Sequence, residues 1–273
     1  MANEIDKANA FRRLHEAPGS FVIANAWDGG SARILAGLGF AAIATSSGAE
    51  AGVLGKRDGM VTRDEALAHC RVIVEATDLP VSADLEKGFG DTPQDAAQTI
   101  RMAGAVGLVG GSIEDAAGPA QRPYELALAK ERIVAAVEAA RALPFPFMLT
   151  GSAENFIRGN PDLDDTIKRL QAFEAAGADV LMAPGLPDLA AVRAVCSALR
   201  KPFNFMAGIP GKSFSVAGLT EAGVKRISLA TSLYKAAMTG LVAAAREVKE
   251  RGTLGYIDTN IPTPELNAFM RGP

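Results

Sequence analysis

The chain has 273 residues, with 28 basic and 31 acidic side chains and a net charge of −3, so it carries no basic excess for a nucleic-acid surface. A hydrophobic share of 48% against 22% charged residues excludes a disordered chain and bounds the answer to one large domain or two small ones. Two cysteines (Cys70, Cys196) and two histidines (His15, His69) exclude a disulfide framework and a multi-histidine metal site, and leave acid–base chemistry to other groups.

The N-terminus carries Glu4, Asp6, Lys7, Arg12 and Arg13 and lacks the apolar run of a signal peptide. No uncharged apolar stretch reaches the ~18 residues that span a bilayer. The expected protein is soluble and cytoplasmic, with no membrane and no nucleic-acid partner.

The pattern opens with a helix over 6–16, followed by eight short apolar runs that read as strands: 21–27, 41–47, 81–86, 107–114, 145–150, 179–183, 203–207 and 226–230. Amphipathic stretches alternate with them, among them 92–103, 125–143, 162–176, 189–199 and 232–249. Gly39, Gly104, Gly177 and Gly223 stand between a helical pattern and the next strand, where glycine ends a helix in the left-handed region at low cost. Pro80, Pro144 and Pro202 stop three other helices, and Pro18-Gly19 precedes the first strand. Eight such units over ~250 residues predict a (β/α)8 TIM barrel, one domain over 1–273. A doubly wound sheet is the runner-up. Its nucleotide fingerprint is missing from the first turn, Trp27-Asp28-Gly29-Gly30-Ser31. Two long connections, 48–62 and 115–124, follow strands and so belong to the C-terminal face, where barrel active sites lie. The tail with Pro262, Pro264 and Pro273 reads as extended, packed on a neighbouring subunit or mobile.

The strand ends carry the chemistry. The third closes with Asp84-Leu85-Glu86, and alternation along a strand puts Asp84 and Glu86 on one face. The fourth closes with Glu114-Asp115, where Glu114 shares a face with Ser112 and Asp115 turns away or begins the loop. Asp58 sits in the first long loop. Carboxylates converging on one mouth repel unless a cation neutralises them, and oxygen ligands without histidine or cysteine suit Mg2+ or Mn2+. Small residues at Ser46-Ser47-Gly48-Ala49 let backbone N–H groups approach an anionic oxygen.

Together these strand ends resemble the isocitrate lyase / phosphoenolpyruvate mutase superfamily. The matching pieces are Asn25-Ala26-Trp27-Asp28, Thr45-Ser46-Ser47-Gly48, Asp58-Gly59, Ala83-Asp84-Leu85-Glu86-Lys87-Gly88-Phe89-Gly90, Ile113-Glu114-Asp115, Glu154-Asn155-Phe156, Pro184-Gly185-Leu186 and Asn204, in order over nearly the whole chain. The resemblance implies a TIM barrel whose last helix is exchanged between subunits in a homotetrameric dimer of dimers. It implies Mg2+ held by Asp84, Glu86 and Glu114, mostly through water, with Asp58 close by. It assigns Ser47, Gly48 and Ala49 to a substrate oxygen. It also assigns Ser46, Glu154 and Asn204 to substrate binding, while Trp27, at the end of the first strand, reads as a wall of the substrate pocket or as a packing residue of the barrel. The implied chemistry makes or breaks a bond next to an α-oxo carboxylate through an enolate.

Two departures narrow the reaction. The loop Ala116-Ala117-Gly118-Pro119-Ala120-Gln121-Arg122-Pro123-Tyr124 has no cysteine, histidine or lysine, so isocitrate or methylisocitrate lyase activity is not expected. It resembles instead the branch of carboxyvinyl-carboxyphosphonate phosphorylmutase-like proteins. The family's fifth-strand arginine is replaced by Ser152, so Arg122, Arg158 or Lys212 takes its place or the usual acid binds poorly. Tyr124 in that loop reads as a general acid or an exposed side chain, and Lys212-Ser213 as a phosphate-binding or solvated turn. His15, His69, Cys70 and Cys196 read as structural. The expected function is a Mg2+-dependent lyase or decarboxylase for a small α-oxo or 2-hydroxy acid. A phosphonomutase and a non-catalytic relative that keeps the metal site are the alternatives.

Overall fold

In the computed structural model, which describes residues 3–116, 122–212 and 214–271, eight parallel strands close into a barrel in sequence order. The strands are β1 (Phe21–Asn25), β2 (Ile43–Ala44), β3 (Val81–Asp84), β4 (Gly110–Glu114), β5 (Met148–Ser152), β6 (Val180–Met182), β7 (Phe203–Met206) and β8 (Arg226–Ser228). The helices between them are α2 (Gly29–Gly37), α3 (Ser47–Val53), α4 (Arg63–Glu75), α5 (Pro93–Ala105), α6 (Leu126–Arg141), α7 (Leu163–Ala175), α8 (Leu189–Ala198) and α9 (Val216–Glu221). Helix α1 (Glu4–Glu16) precedes the barrel; α10 (Ser232–Arg246) and α11 (Thr263–Met270) follow it. The β1–β8 pairing of Val22 with Ile227 closes the ring, confirming the expected TIM barrel. Within the long connection 115–124, Ala117, Gly118, Pro119, Ala120 and Gln121 lie outside the described residues, as do Ser213 and Pro273.

Helix α1 plugs the N-terminal end of the barrel. Phe11 is fully buried, and a Cβ on Gly110 would lie 2.8 Å from its ring, so the first residue of β4 must be glycine for α1 to seat. His15 makes edge contacts with Phe11 and Phe21 in the same plug. Above it sits Arg226, whose Nε donates to Asn204 Oδ1 (2.8 Å) and whose Nη2 donates to Thr150 Oγ1 (2.8 Å). Burial and the Arg226 charge lower the His15 pKa to about 3, so it packs as a neutral ring, in keeping with its structural reading. Among the described residues, the cavities of the barrel open at its C-terminal end.

Local chemistry sets the joints. Asp28, Thr62 and Thr92 cap α2, α4 and α5 in reciprocal capping boxes. The sequence pattern sets several strand bounds too wide, among them 41–47, observed as Ile43–Ala44 with Ser47 already in α3, and 107–114, observed from Gly110. Strand β5 begins at Met148 rather than 145, because Pro144 and Pro146 lack the N–H a central strand must donate. Strand β3 stops at Asp84 rather than 86, because Glu86 adopts a left-handed backbone (φ 49°) that ends the extended run. The C-terminal tail is not extended throughout: it forms a 3-10 turn (Gly255–Thr259) and then α11, with Pro264 in the first turn where its missing N–H goes unused. Helix α11 lies on α2, where Arg33 Nη1 donates to the Met270 carbonyl (2.7 Å). Phe269 fills the space over Gly37, where a Cβ would sit 2.6 Å from the ring. Among the described residues, no helix is long and apolar enough to cross a membrane.

Candidate active site

Three short bonds build the first wall of the mouth. Asp84 N donates to Thr45 Oγ1 (3.0 Å), Ser47 N donates to Asp84 Oδ2 (3.0 Å), and Glu86 N donates to Asp84 Oδ1 (3.1 Å). The end of β2, the start of α3 and the end of β3 are thereby tied to one residue, Asp84, through its backbone N–H and its carboxylate. Glu86 reaches the mouth through its left-handed backbone and not, as expected, by sharing a strand face with Asp84. Ala230, after β8, is a second non-glycine residue at positive φ (48°) on the same cavity. Residues held in this sparsely populated region concentrate at working sites.

The second wall comes from β4 and β5. Glu114 and Ser152 are register partners, and Ser152 Oγ donates to Glu154 Oε1 (2.5 Å). Asp115 points away from the mouth, as alternation predicts. Its Oδ1 accepts from Glu154 N (2.9 Å), and its Oδ2 pairs with the Arg169 guanidinium (3.2 Å). Arg158, just after the 3-10 turn Asn155–Ile157, approaches Glu114 Oε2 at 3.5 Å through Nη2.

These walls enclose a cavity of about 310 Å³ that brings together Ser46, Ser47, Gly48, Asp58, Asp84, Glu86 and Glu114. Gly48 is required there: a Cβ would stand 2.9 Å from Thr231 Cγ2 and 3.3 Å from Asp58 Oδ2. A narrower cavity of about 60 Å³ continues downward from Asp84 and Ser46 to Asn204 and Arg226. Asn204, expected to line the site, therefore lines its floor, with its Nδ2 donating to Ser228 Oγ (3.0 Å). Trp27, Ala49 and Glu154 stand behind the mouth. The Trp27 ring meets Tyr234 edge-on, with 5.7 Å between centroids. Ala49 and Glu154 are each 1% exposed.

The electrostatics are those of an acid cluster short of positive charge. Burial first, then Asp84 and Asp58, push Glu86 up to about 7. Burial raises Asp84 against its two backbone donors. Burial and the Glu154 charge raise Glu114 well above the carboxylate range, while Glu154 itself rises to about 7 through burial. Among the described residues, no three His, Cys, Asp or Glu side chains stand together as a ready-made metal-ligand set.

The sequence pattern missed Glu50. It sits in the first turns of α3, 2% exposed, and is raised to about 8 by burial and by Asp84, Glu86 and Asp58. Among the described residues its Oε1 has no hydrogen-bond partner, and His69 Nδ1 stands 3.8 Å from its Oε2. A carboxylate among alanines and glycines in a short run was the available signal. Of the three cations weighed for the Ser152 position, Lys212 donates instead to the Gly185 carbonyl (2.7 Å), and Arg158 alone lines the mouth. Tyr124 Oη donates to Asp91 (2.6 Å), away from the mouth, and desolvation pushes its phenol up.

A closed parallel barrel with acids at its C-terminal mouth defines the class, and comparison supplies the family. The phosphoenolpyruvate phosphomutase family model matches residues 11–249, and the chain belongs to that family, within the isocitrate lyase / phosphoenolpyruvate mutase superfamily. It is similar to a solved lyase/mutase-like protein of Burkholderia cenocepacia J2315, at 47% identity and a TM-score of 0.96, over 99% of this chain and 98% of the other. It is 30% identical over 262 residues to an uncharacterized protein of Mycobacterium tuberculosis, covering 96% of each. It is 28% identical to an oxaloacetate decarboxylase of Ectopseudomonas mendocina, over 90% of this chain and 86% of that enzyme.

Proposed function

We propose that the mouth is the active site of a divalent-cation-dependent lyase or decarboxylase that acts on a small α-oxo or 2-hydroxy carboxylate through an enolate. The observation that carries this reading is the convergence of Asp58, Asp84, Glu86 and Glu114 on one cavity, with the last three pushed up by burial. Such a cluster needs positive charge to ionise, and an all-oxygen donor set suits Mg2+ or Mn2+. Asp84, Glu86 and Glu114 would hold the ion, through water as magnesium commonly binds. Bound there, the ion supplies Lewis-acid stabilisation of negative charge on a substrate oxygen.

The chain's own groups do the rest. The first N–H groups of α3 have no intrahelical acceptor, and α3 has no side-chain cap, so Gly48 and Ala49 offer their N–H groups to the developing enolate oxygen. Ser47 commits its N–H to Asp84 and so positions that carboxylate. Asp58, packed against Gly48, takes the hydroxyl proton when a 2-hydroxy acid is cleaved. An α-oxo diacid losing CO2 has no such proton, and its carbon–carbon electron pair passes to the enolate directly. Trp27 backs the wall from β1, and Glu154 sits behind Glu114.

The similarity to an oxaloacetate decarboxylase favours decarboxylation of a four-carbon acid. The test is a screen of α-oxo and 2-hydroxy acids with Mg2+ for release of pyruvate or CO2; no turnover of any of them contradicts the reading. The description of the matching family model favours a second reading, phosphorus–carbon bond chemistry, which phosphorus NMR of a phosphoenolpyruvate-type substrate distinguishes.

The expected subunit exchange belongs to the same reading. None of the residues of α10 is buried, and Leu241 and Val242 on it are 60% and 45% exposed. A helix with that apolar surface is completed by a second copy of the chain, giving a homo-oligomer working in the cytoplasm.

A further inference from the structure

We propose that Arg158 is the specificity residue of the mouth, and that it takes the second carboxylate of a short α-oxo dicarboxylate. This rests on the reading of the mouth as the active site. Its side chain is 14% exposed and lines the 310 Å³ cavity. Among the described residues its buried Nε has no hydrogen-bond partner, and the bond to Glu114 Oε2, at 3.5 Å, is at the outer limit for such contacts. A guanidinium has five donors in a rigid fork, and buried polar groups are normally satisfied. Arg158 therefore holds donor capacity in reserve while its side chain lines the cavity.

The other cations nearby are engaged or exposed to water. Lys87 pairs with Asp91 at 2.5 Å. Arg169 is divided between Asp115, Asp165 and the Tyr124 carbonyl. Arg132 also has a free Nε, but it donates to the Gly90, Thr92 and Lys87 carbonyls and stacks on Tyr124. Lys235 lines the cavity too, from an exposed position on α10 where water competes for its charge. Of the cations that the described residues place on this cavity, Arg158 is thus the least exposed, and through it a dianion can enter among the carboxylates. Its planar fork matches a carboxylate in two parallel bonds, which an ammonium does not provide.

The backbone fixes where that fork stands. Arg158 N donates to the Glu154 and Asn155 carbonyls, so the turn after β5 carries the guanidinium over Glu114. Across the cavity stand Gly48 and Asp58. An α-oxo acid head on that side would leave its far carboxylate toward Arg158, while a monocarboxylate would leave the guanidinium unused.

The test is calorimetric titration, with Mg2+, of the full chain with 3,3-difluorooxaloacetate and with pyruvate, which shares the α-oxo acid head but has no second carboxylate. For Arg158→Ala we expect at least ~30-fold weaker binding of the diacid and less than threefold change for pyruvate, with Arg158→Lys recovering part of the loss. Circular dichroism and thermal melting of both variants check the fold. Equal weakening of both acids, or no change in either, overturns the assignment of Arg158 while leaving the active site standing. A wild-type protein that binds neither acid overturns the active-site reading together with this one.

Discussion

The backbone N–H of Ser47 donates to Oδ2 of Asp84 across 3.0 Å, so the start of α3 and the end of β3 move as one piece. The loop that presents Gly48 to a substrate oxygen and the carboxylate proposed to hold a cation therefore share one rigid joint. That joint is tightened by Thr45 Oγ1, which accepts from Asp84 N.

Gly48 is the sensitive point of this joint. An added Cβ presses on Thr231 Cγ2 at 2.9 Å and on Asp58 Oδ2 at 3.3 Å, and displacement of a reacting group by about 1 Å can cost ~100-fold in rate. Gly48→Ala is expected to lower kcat/KM by about ten- to a hundredfold. Its melting temperature should stay close to that of the wild type, because the neighbours that must move line a cavity. Steady-state kinetics beside a thermal melt checks both halves.

Stability should fall with pH in cation-free protein. Glu50 is raised to about 8, and Glu86 and Glu154 to about 7, from an ordinary 4.5. Between those limits the native state binds more protons than the unfolded chain, so stability decreases as pH rises. His15 is lowered to about 3 and His69 is lowered as well, both chiefly by burial, and their opposite slope ends near their unfolded value of 6.5. The clean window is therefore pH 6.5 to 8. With chelator present, the melting temperature is expected to drop across that window, and Mg2+ should flatten the drop. A melting temperature that rises over the same window contradicts the proton-holding cluster.

Arg169 anchors the second wall from behind. Its side chain is 10% exposed and that of its partner Asp115 is 1% exposed, and Asp115 in turn holds the Glu154 N–H. Removing one partner of a buried pair leaves the other charge uncompensated, at a cost of about 3–5 kcal/mol. Arg169→Ala should lose about that much in urea unfolding, whereas Arg12→Ala, at an exposed pair on α1, should lose under ~1 kcal/mol.

Exchange of α10 predicts an assembly that a single charge disrupts. Leu241 is 60% exposed in the isolated chain. If a second copy covers it, Leu241→Arg places an unpaired charge in an apolar contact and should shift the protein to smaller species in light scattering. A wild-type protein that runs as a monomer contradicts the exchange.

The barrel was legible in the sequence because its joints are punctuated: glycine or proline ends the helical patterns, and each apolar run that follows is too short for a helix. The mouth was legible for a related reason. A strand end must face the opening of a barrel, so Asp84 and Glu114 could be placed without tertiary knowledge. Glu86 was identified as a member but by the wrong route, since its left-handed backbone depends on how the chain leaves β3. Glu50 was not found, and Arg158 could only be named as one of three cations. Glu50 lies in the short helix that follows β2 and Arg158 at the end of the 3-10 turn that follows β5, where the direction of a side chain is set by helical packing rather than by strand period. The tail defeated the pattern because Pro264 reads as a breaker in sequence but is tolerated in a helix's first turn.

The central claim is that a divalent cation and an enolate-like anion bind together at the Asp84 mouth. Calorimetric titration of oxalate, an enolate mimic, into wild-type protein with and without Mg2+, and into Asp84→Ala, tests it most directly. The account predicts oxalate binding that requires Mg2+ and is lost in Asp84→Ala; binding that is indifferent to Mg2+, or that survives the substitution, would contradict it.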